Sequence, residues 1–276
     1  MRAFRQVDVF SSEPLRGNPV AVVHGAEGVG DDEMQAFARW TNLSETTFLL
    51  PPTEHGADYR LRIFTPAGEL PFAGHPTLGS AHAWLEAGGT PAQADVVVQE
   101  CAAGLIRIRC GDRLAFAAPP LLRSGPPTPD ELAAVLRALR LAEEDVLAAS
   151  WLVNGPHFMG VQLRDRDAVL AVRPDVSAFG GLDIGVVGLH RAGGEVDLEV
   201  RVFVSGMGIG EDPVTGSFNA AVAQWLTGNG TLPRSYVAAQ GTALGRRGRV
   251  HVQTDADGTI WVGGDTLTTI VGETTL

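Results

Sequence analysis

Cysteine is scarce in this chain of 276 residues: Cys101 and Cys110 are the only two. They cannot form a disulfide framework and fit a reducing compartment. No apolar stretch reaches bilayer-spanning length. The opening, Met1 to Phe10, lacks the basic-then-apolar layout of a secretory signal, so a cytoplasmic protein is expected. Basic runs are also missing. The 21 Lys and Arg stand against 32 Asp and Glu, a formal net charge of −11, which argues against nucleic acid or a membrane surface as partner. The seven histidines include no His-x-x-x-His pair and no Cys-x-x-Cys accompanies them, so no metal site is expected. Gly208-Ile209-Gly210 lacks the third glycine and the βαβ setting of a dinucleotide fingerprint. No phosphate loop and no nucleophile elbow occurs. Nothing calls for a cofactor.

What is present is a hydrophobic content of 45%, enough to bury the core of one large or two small domains. The 34 glycines and 17 prolines are spread evenly and punctuate many short elements. Strands rich in Val, Ile and Phe are predicted at Gln6–Phe10, Val20–His24, Thr46–Leu50, Tyr59–Phe64, Val96–Gln99 and Leu105–Arg109. Six more follow at Phe158–Leu163, Gly185–His190, Asp197–Val204, Arg249–Gln253, Thr259–Val262 and Thr268–Val271. Acidic Asp31-Asp32-Glu33 opens one helix, and Thr128-Pro129-Asp130-Glu131 reads as a capping box opening another.

The chain resembles itself. Arg62-Ile63-Phe64 matches Arg201-Val202-Phe203, Pro76-Thr77-Leu78-Gly79-Ser80 matches Pro213-Val214-Thr215-Gly216-Ser217, and Gln99 and Gly104 match Gln240 and Gly245. Their shared order indicates duplication of a mixed α/β unit, joined near the proline-rich segment Pro119 to Pro129. Each copy is expected to open a helix at an X-Pro step, His75-Pro76 and Asp212-Pro213. The unpaired N–H groups of such helix starts can cradle a small anion such as a carboxylate. A bland alternative is that Pro-x-x-Gly-Ser merely starts a tightly packed helix.

Three titratable residues are candidates for acid–base work. Glu45, at a helix exit into an apolar strand, is a base if desolvation raises its proton affinity, and an ordinary surface carboxylate otherwise. His75, after Phe72-Ala73-Gly74, could donate to a substrate or shuttle a proton. Asp212 is either a plain N-cap or a substrate ligand.

Together, Arg16-Gly17-Asn18-Pro19-Val20-Ala21-Val22, Leu43-Ser44-Glu45-Thr46-Thr47-Phe48, Arg62-Ile63-Phe64-Thr65-Pro66, Leu70-Pro71-Phe72-Ala73-Gly74-His75-Pro76 and Glu211-Asp212-Pro213-Val214-Thr215-Gly216-Ser217 resemble the phenazine-biosynthesis isomerase (PhzF-like) family. The resemblance implies an α+β, diaminopimelate-epimerase-like fold: two pseudo-symmetric domains, each a curved, mostly antiparallel sheet around a central helix. The domains would be 1–120 and 121–267, with the last strand, about 268–276, returning to the first and the active site between them. It further implies a cofactor-independent homodimeric isomerase that moves a proton on a small carboxylate-bearing substrate. Glu45 would be general base and acid, with His75 and Asp212 in the pocket and Gly74, Thr215, Gly216 and Ser217 holding the substrate. Two departures stand near that pocket: Phe218-Asn219 replaces small residues, and Phe203-Val204-Ser205-Gly206 replaces a Phe-Ser-Pro-type sequence. An amino-acid racemase of the same fold would need a cysteine at each helix start, where this chain has Gly74-His75 and Gly216-Ser217. A non-catalytic small-molecule receptor is the remaining alternative.

Overall fold

The computed structural model describes residues 1–205 and 210–276. Gly206, Gly208 and Ile209, named above, lie outside the described residues. The chain divides into two compact units, Met1–Ala117 with Gly263–Leu276, and Ala118–Val262. Among the described residues, no helix is long and apolar enough to cross a membrane.

The first unit contains β1 (Arg2–Val9), β2 (Asn18–Val23), α1 (Asp31–Thr41), β3 (Glu45–Leu50), β4 (Tyr59–Phe64), β5 (Glu69–Leu70), α2 (Gly74–Glu86), β6 (Val96–Cys101), β7 (Gly104–Cys110) and β8 (Leu114–Ala117). The last strand of the chain, β18 (Thr266–Thr274), completes it. Strands pair in the order β18-β1-β2-β3-β4-β6-β7-β8, parallel at β2/β3 and β4/β6 and antiparallel elsewhere. Helix α2 packs against β1, β2, β3, β6, β8 and β18. A helix so enclosed must be small or apolar all round, and Gly74 to Ala81 are all buried. At Gly79 a Cβ would fall 2.3 Å from Val20 Cγ1, so glycine sets how closely the helix approaches the sheet.

The second unit contains β9 (Arg123–Gly125), α3 (Pro129–Leu139), β10 (Val146–Val153), β11 (His157–Leu163), α4 (Arg166–Ala171), β12 (Asp183–Leu189), β13 (Leu198–Phe203), β14 (Glu211–Asp212), α5 (Gly216–Gly228), β15 (Ser235–Gln240), β16 (Gly248–Thr254) and the first three residues of β17 (Ile260–Gly264). Its order is β9-β10-β11-β12-β13-β15-β16, parallel at β11/β12 and β13/β15 and antiparallel elsewhere. That succession of partners and senses repeats β18-β1-β2-β3-β4-β6-β7 of the first unit, with α5 in the place of α2. The fold is the expected α+β class, a duplicated sheet-around-helix unit.

The register of the repeat differs from the one read off the sequence. Both central helices have 13 residues, but α2 begins at Gly74 after the cap Ala73, and α5 at Gly216 after the cap Thr215. Pro213 therefore precedes α5 rather than opening it, and Gly79-Ser80 lie inside α2. The reason is the short strand before each helix. Leu70 pairs with Ile63 and Asp212 with Val202, and three residues then lead into each helix. Asp212 is thus the counterpart of Leu70, and His75 that of Ser217.

Candidate active site

In the first unit the β2/β3 register sets Glu45 opposite Val20, at the mouth of the sheet where α2 begins. Glu45 is buried, with 7% of its surface exposed, and His75, second residue of α2, is buried at 3%. Glu45 Oε2 lies 3.4 Å from His75 Nε2. Burial pushes the His75 pKa down to about 3, against the opposing pull of a hydrogen bond to the Pro19 backbone. The imidazole is therefore neutral at physiological pH, and its contact with Glu45 is not an ion pair. Behind the ring, the amide Nδ2 of fully buried Asn18 lies 3.2 Å from His75 Nδ1. Gly74 is buried at the start of the helix.

In the second unit Asp212 closes β14 and is buried. It is three residues short of α5, which excludes the N-cap role. Thr215 Oγ1 donates to Asp212 Oδ2 at 2.6 Å, and Gln240 Nε2 donates to Thr215 Oγ1 at 2.9 Å. Gln240 also donates to the Asp212 carbonyl, while its Oε1 accepts from the Thr215 N–H and from Asn219 Nδ2. Asp212 and Thr215 are thus fixed by one buried glutamine. Gln99 has the same office in the first unit, donating to Thr77 Oγ1 in the first turn of α2. Ser217 is buried at the start of α5, and its carbonyl accepts from Asn154 Nδ2 at 2.8 Å.

Sequence-nominated residues fall into two groups: Glu45, His75 and Gly74 in the first unit; Asp212, Thr215, Gly216 and Ser217 in the second. Sequence reasoning missed Asn18, Gln99, Gln240 and Asn154 as supports. The paired Gln99 and Gln240 of the repeat, and Asn18 within Arg16-Gly17-Asn18-Pro19, were the signals available. Phe218 is fully buried, edge-on to Phe158, with its ring where a Cβ on Gly185 would be. This departure fills the core of its unit. Cys101 and Cys110 lie on β6 and β7, remote in sequence from either helix start, and burial raises both thiols above their usual range. They are not the acid–base thiol pair that a two-thiol racemase places at its helix starts. Among the described residues no group of three or more His, Cys, Asp or Glu could hold a metal ion.

Comparison with known proteins agrees with this picture. The chain is 35% identical to Antisense-enhancing sequence 1 of Schizosaccharomyces pombe, with 98% of each chain covered. It is 32% identical to the trans-2,3-dihydro-3-hydroxyanthranilate isomerase of Pseudomonas aeruginosa, over 94% of this chain and 92% of that one. A solved structure described as a predicted epimerase from Pseudomonas aeruginosa superposes with a TM-score of 0.79 at 28% identity, covering both chains completely. Residues 7–273 match the model of the phenazine biosynthesis-like protein family. The buried Glu45–His75 pair, the duplicated sheet-around-helix unit and this match over nearly the whole length agree: the chain is an isomerase belonging to the phenazine biosynthesis-like family.

Proposed function

We propose that the enzyme is cofactor-independent and moves a proton between carbons of a small carboxylate-bearing substrate, a cyclic amino or hydroxy acid. The observation that carries this reading is the buried Glu45 carboxyl group facing the neutral His75 ring. In the proposed reaction the Glu45 carboxylate takes a proton from a C–H bond. The electron pair left behind is delocalised into the conjugated substrate, and Glu45 returns the proton to a different carbon. No atom is gained or lost. Neutral His75 is suited to this task because it sets a polar but uncharged ring 3.4 Å from the carboxyl group. Proton abstraction from carbon needs the developing charge to be met by positioned dipoles, and the first-turn N–H of α2 at Gly74 is assigned to that work. Within the second unit, the buried Asp212 and Thr215, with Gly216 and Ser217 beside them, are the residues assigned to binding a polar ligand.

The test is solvent exchange. Wild-type protein is incubated in deuterated water with a panel of cyclic amino and hydroxy acids, dihydro-hydroxyanthranilates included, and deuterium in the carbon skeleton is read by mass spectrometry. Incorporation by wild type that falls at least about a hundredfold in Glu45→Gln, with binding retained, is the expected result. Full incorporation by Glu45→Gln would remove Glu45 from the reaction. Binding of a panel member without any incorporation by wild type would identify a receptor instead.

A further inference from the structure

Within the second unit, the end of α3, the turn into β10, the end of β11 and helix α4 enclose a cavity of about 520 Å³, inside the range of about 300–1,000 Å³ usual for small-molecule sites. Helix α3 stops at Arg140, a C-cap in the left-handed conformation, and α4 stops at Ala171, with Pro174 shortly beyond. Asp175 ties the two helix ends together. Its N–H donates to the Ala138 carbonyl at 2.7 Å, and its Oδ2 accepts from Arg140 Nη2 at 3.2 Å. The floor of the cavity is apolar: Leu139, Leu163 and Val172 are buried there, with Leu141 half-buried beside them.

Five exposed charged side chains form the rim. Three have work within the protein: Arg140 pairs with Asp175, Arg164 pairs with Asp165 at 3.0 Å, and Asp145 accepts the Ala142 N–H at 3.0 Å. The remaining two are of opposite sign. Arg173 donates through Nη1 alone, to the carbonyls of Leu170 and Val172 at 2.8 and 3.0 Å, and among the described residues no carboxylate pairs with it. Among the same residues no cation pairs with Glu144. A lone anion on Arg173 would be opposed by Glu144 and Asp145, and a lone cation on Glu144 by three guanidinium groups. A molecule that carries both charges on an apolar body suits the whole cavity. We infer that this cavity binds a free α-amino acid with a large apolar side chain. The carboxylate meets Arg173, the ammonium group meets Glu144, and the side chain lies on Leu139, Leu163 and Val172. Apolar burial supplies the affinity, and the two rim charges supply the selectivity. None of these residues belongs to the candidate active site, so the inference stands apart from the reaction proposed above.

The experiment is a backbone-amide NMR titration of the full-length protein with phenylalanine and with leucine. Phenyllactate, which lacks the ammonium group, and phenethylamine, which lacks the carboxylate, are titrated in parallel. Both amino acids should give saturating shifts in the segments 139–147 and 163–173, and both analogues should bind more weakly by about threefold or more. Arg173→Gln and Glu144→Gln alter exposed side chains and leave the core intact; each should weaken phenylalanine by a similar factor. Ala168→Trp, which fills the cavity from α4, should abolish binding. Glu45→Gln and Asp212→Asn should bind phenylalanine as wild type does. Absence of saturable binding of either amino acid up to about 10 mM would overturn the inference. So would shifts that persist unchanged in Arg173→Gln and Glu144→Gln, or that vanish in Asp212→Asn. Phenyllactate bound as tightly as phenylalanine would show that the ammonium group is not recognised, which overturns the assignment to an amino acid.

Discussion

At the scale of single residues, burial decides what each titratable group can do. His75 carries no charge at neutral pH because the core around it offers no solvent, and the same burial has a thermodynamic cost in acid. An ordinary histidine titrates near 6.5, whereas His75 in the folded chain is lowered to about 3. The unfolded chain therefore binds the proton first. The contribution of the neutral ring is complete above about pH 6.5 and is lost as pH falls toward 3, at about 1.4 kcal/mol per unit. Urea unfolding at pH 7 and pH 4.5 should show wild type losing about 2–3 kcal/mol more than His75→Gln between the two values. Equal losses would mean that the ring is protonated in the folded protein. Glu45, His75 and Asp212 could be nominated from the sequence because each adjoins an apolar strand end or a proline. Asn18 could be flagged only as part of Arg16-Gly17-Asn18-Pro19, since nothing local reveals that a side chain 57 positions before His75 touches its ring.

At the scale of elements, the repeat goes deeper than matching letters. Arg62 forms a two-pronged bond with Glu69 and stands over the Phe64 ring. Arg201 does the same with Glu211 and Phe203. The two clamps tie β4 to β5 and β13 to β14, the short strands that deliver the chain to α2 and α5. Their energetics should differ. Arg201 and Glu211 are 6% and 12% exposed, and Arg201 also donates to the carbonyls of Val169 and Val172. Arg62 and Glu69 are 17% and 38% exposed, and Arg62 has Asp31 as a second partner. Glu211→Gln leaves a buried guanidinium without its charge partner and should cost about 3 kcal/mol; Glu69→Gln should cost about 1 kcal/mol or less. Denaturation midpoints of the two variants check this, and equal losses would contradict it. Helix α3 was legible from its capping box, in which Thr128 accepts from the Glu131 N–H and Glu131 accepts from the Thr128 N–H. Strands β10 and β15 were not: VLAASWLV and SYVAAQ carry too much alanine to read as strands, and only their neighbours β9, β11, β13 and β16 draw them into the sheets.

At the scale of the whole molecule, the chain returns to its beginning. β18 pairs with β1 along its length, from Arg2 opposite Thr274 to Val9 opposite Thr266. His82 on α2 bonds Thr268 and Thr266, and Thr268 bonds Glu86. The last residues are thus part of the first unit's sheet and hold the far end of its central helix. Deleting residues 266–276 should open the β1 edge, lower the urea midpoint markedly and promote aggregation. A truncated chain as stable and soluble as the full one would show that β18 is dispensable.

What the amino-acid order determined by itself was the duplicated α+β plan and most of the strands, and it was enough to nominate Glu45, His75 and Asp212. Those depend on local signals: alternation of apolar side chains, helix caps, and motifs repeated in the same order. What only the tertiary structure decided was the register of the repeat, with Asp212 answering to Leu70 rather than to His75, the burial of Phe218, and the meeting of Asn18, His75 and Glu45 at one place. Each of these depends on which strand pairs with which and on how closely a helix can approach a sheet. Such distances are set by packing between residues far apart in the chain, where no local pattern reaches.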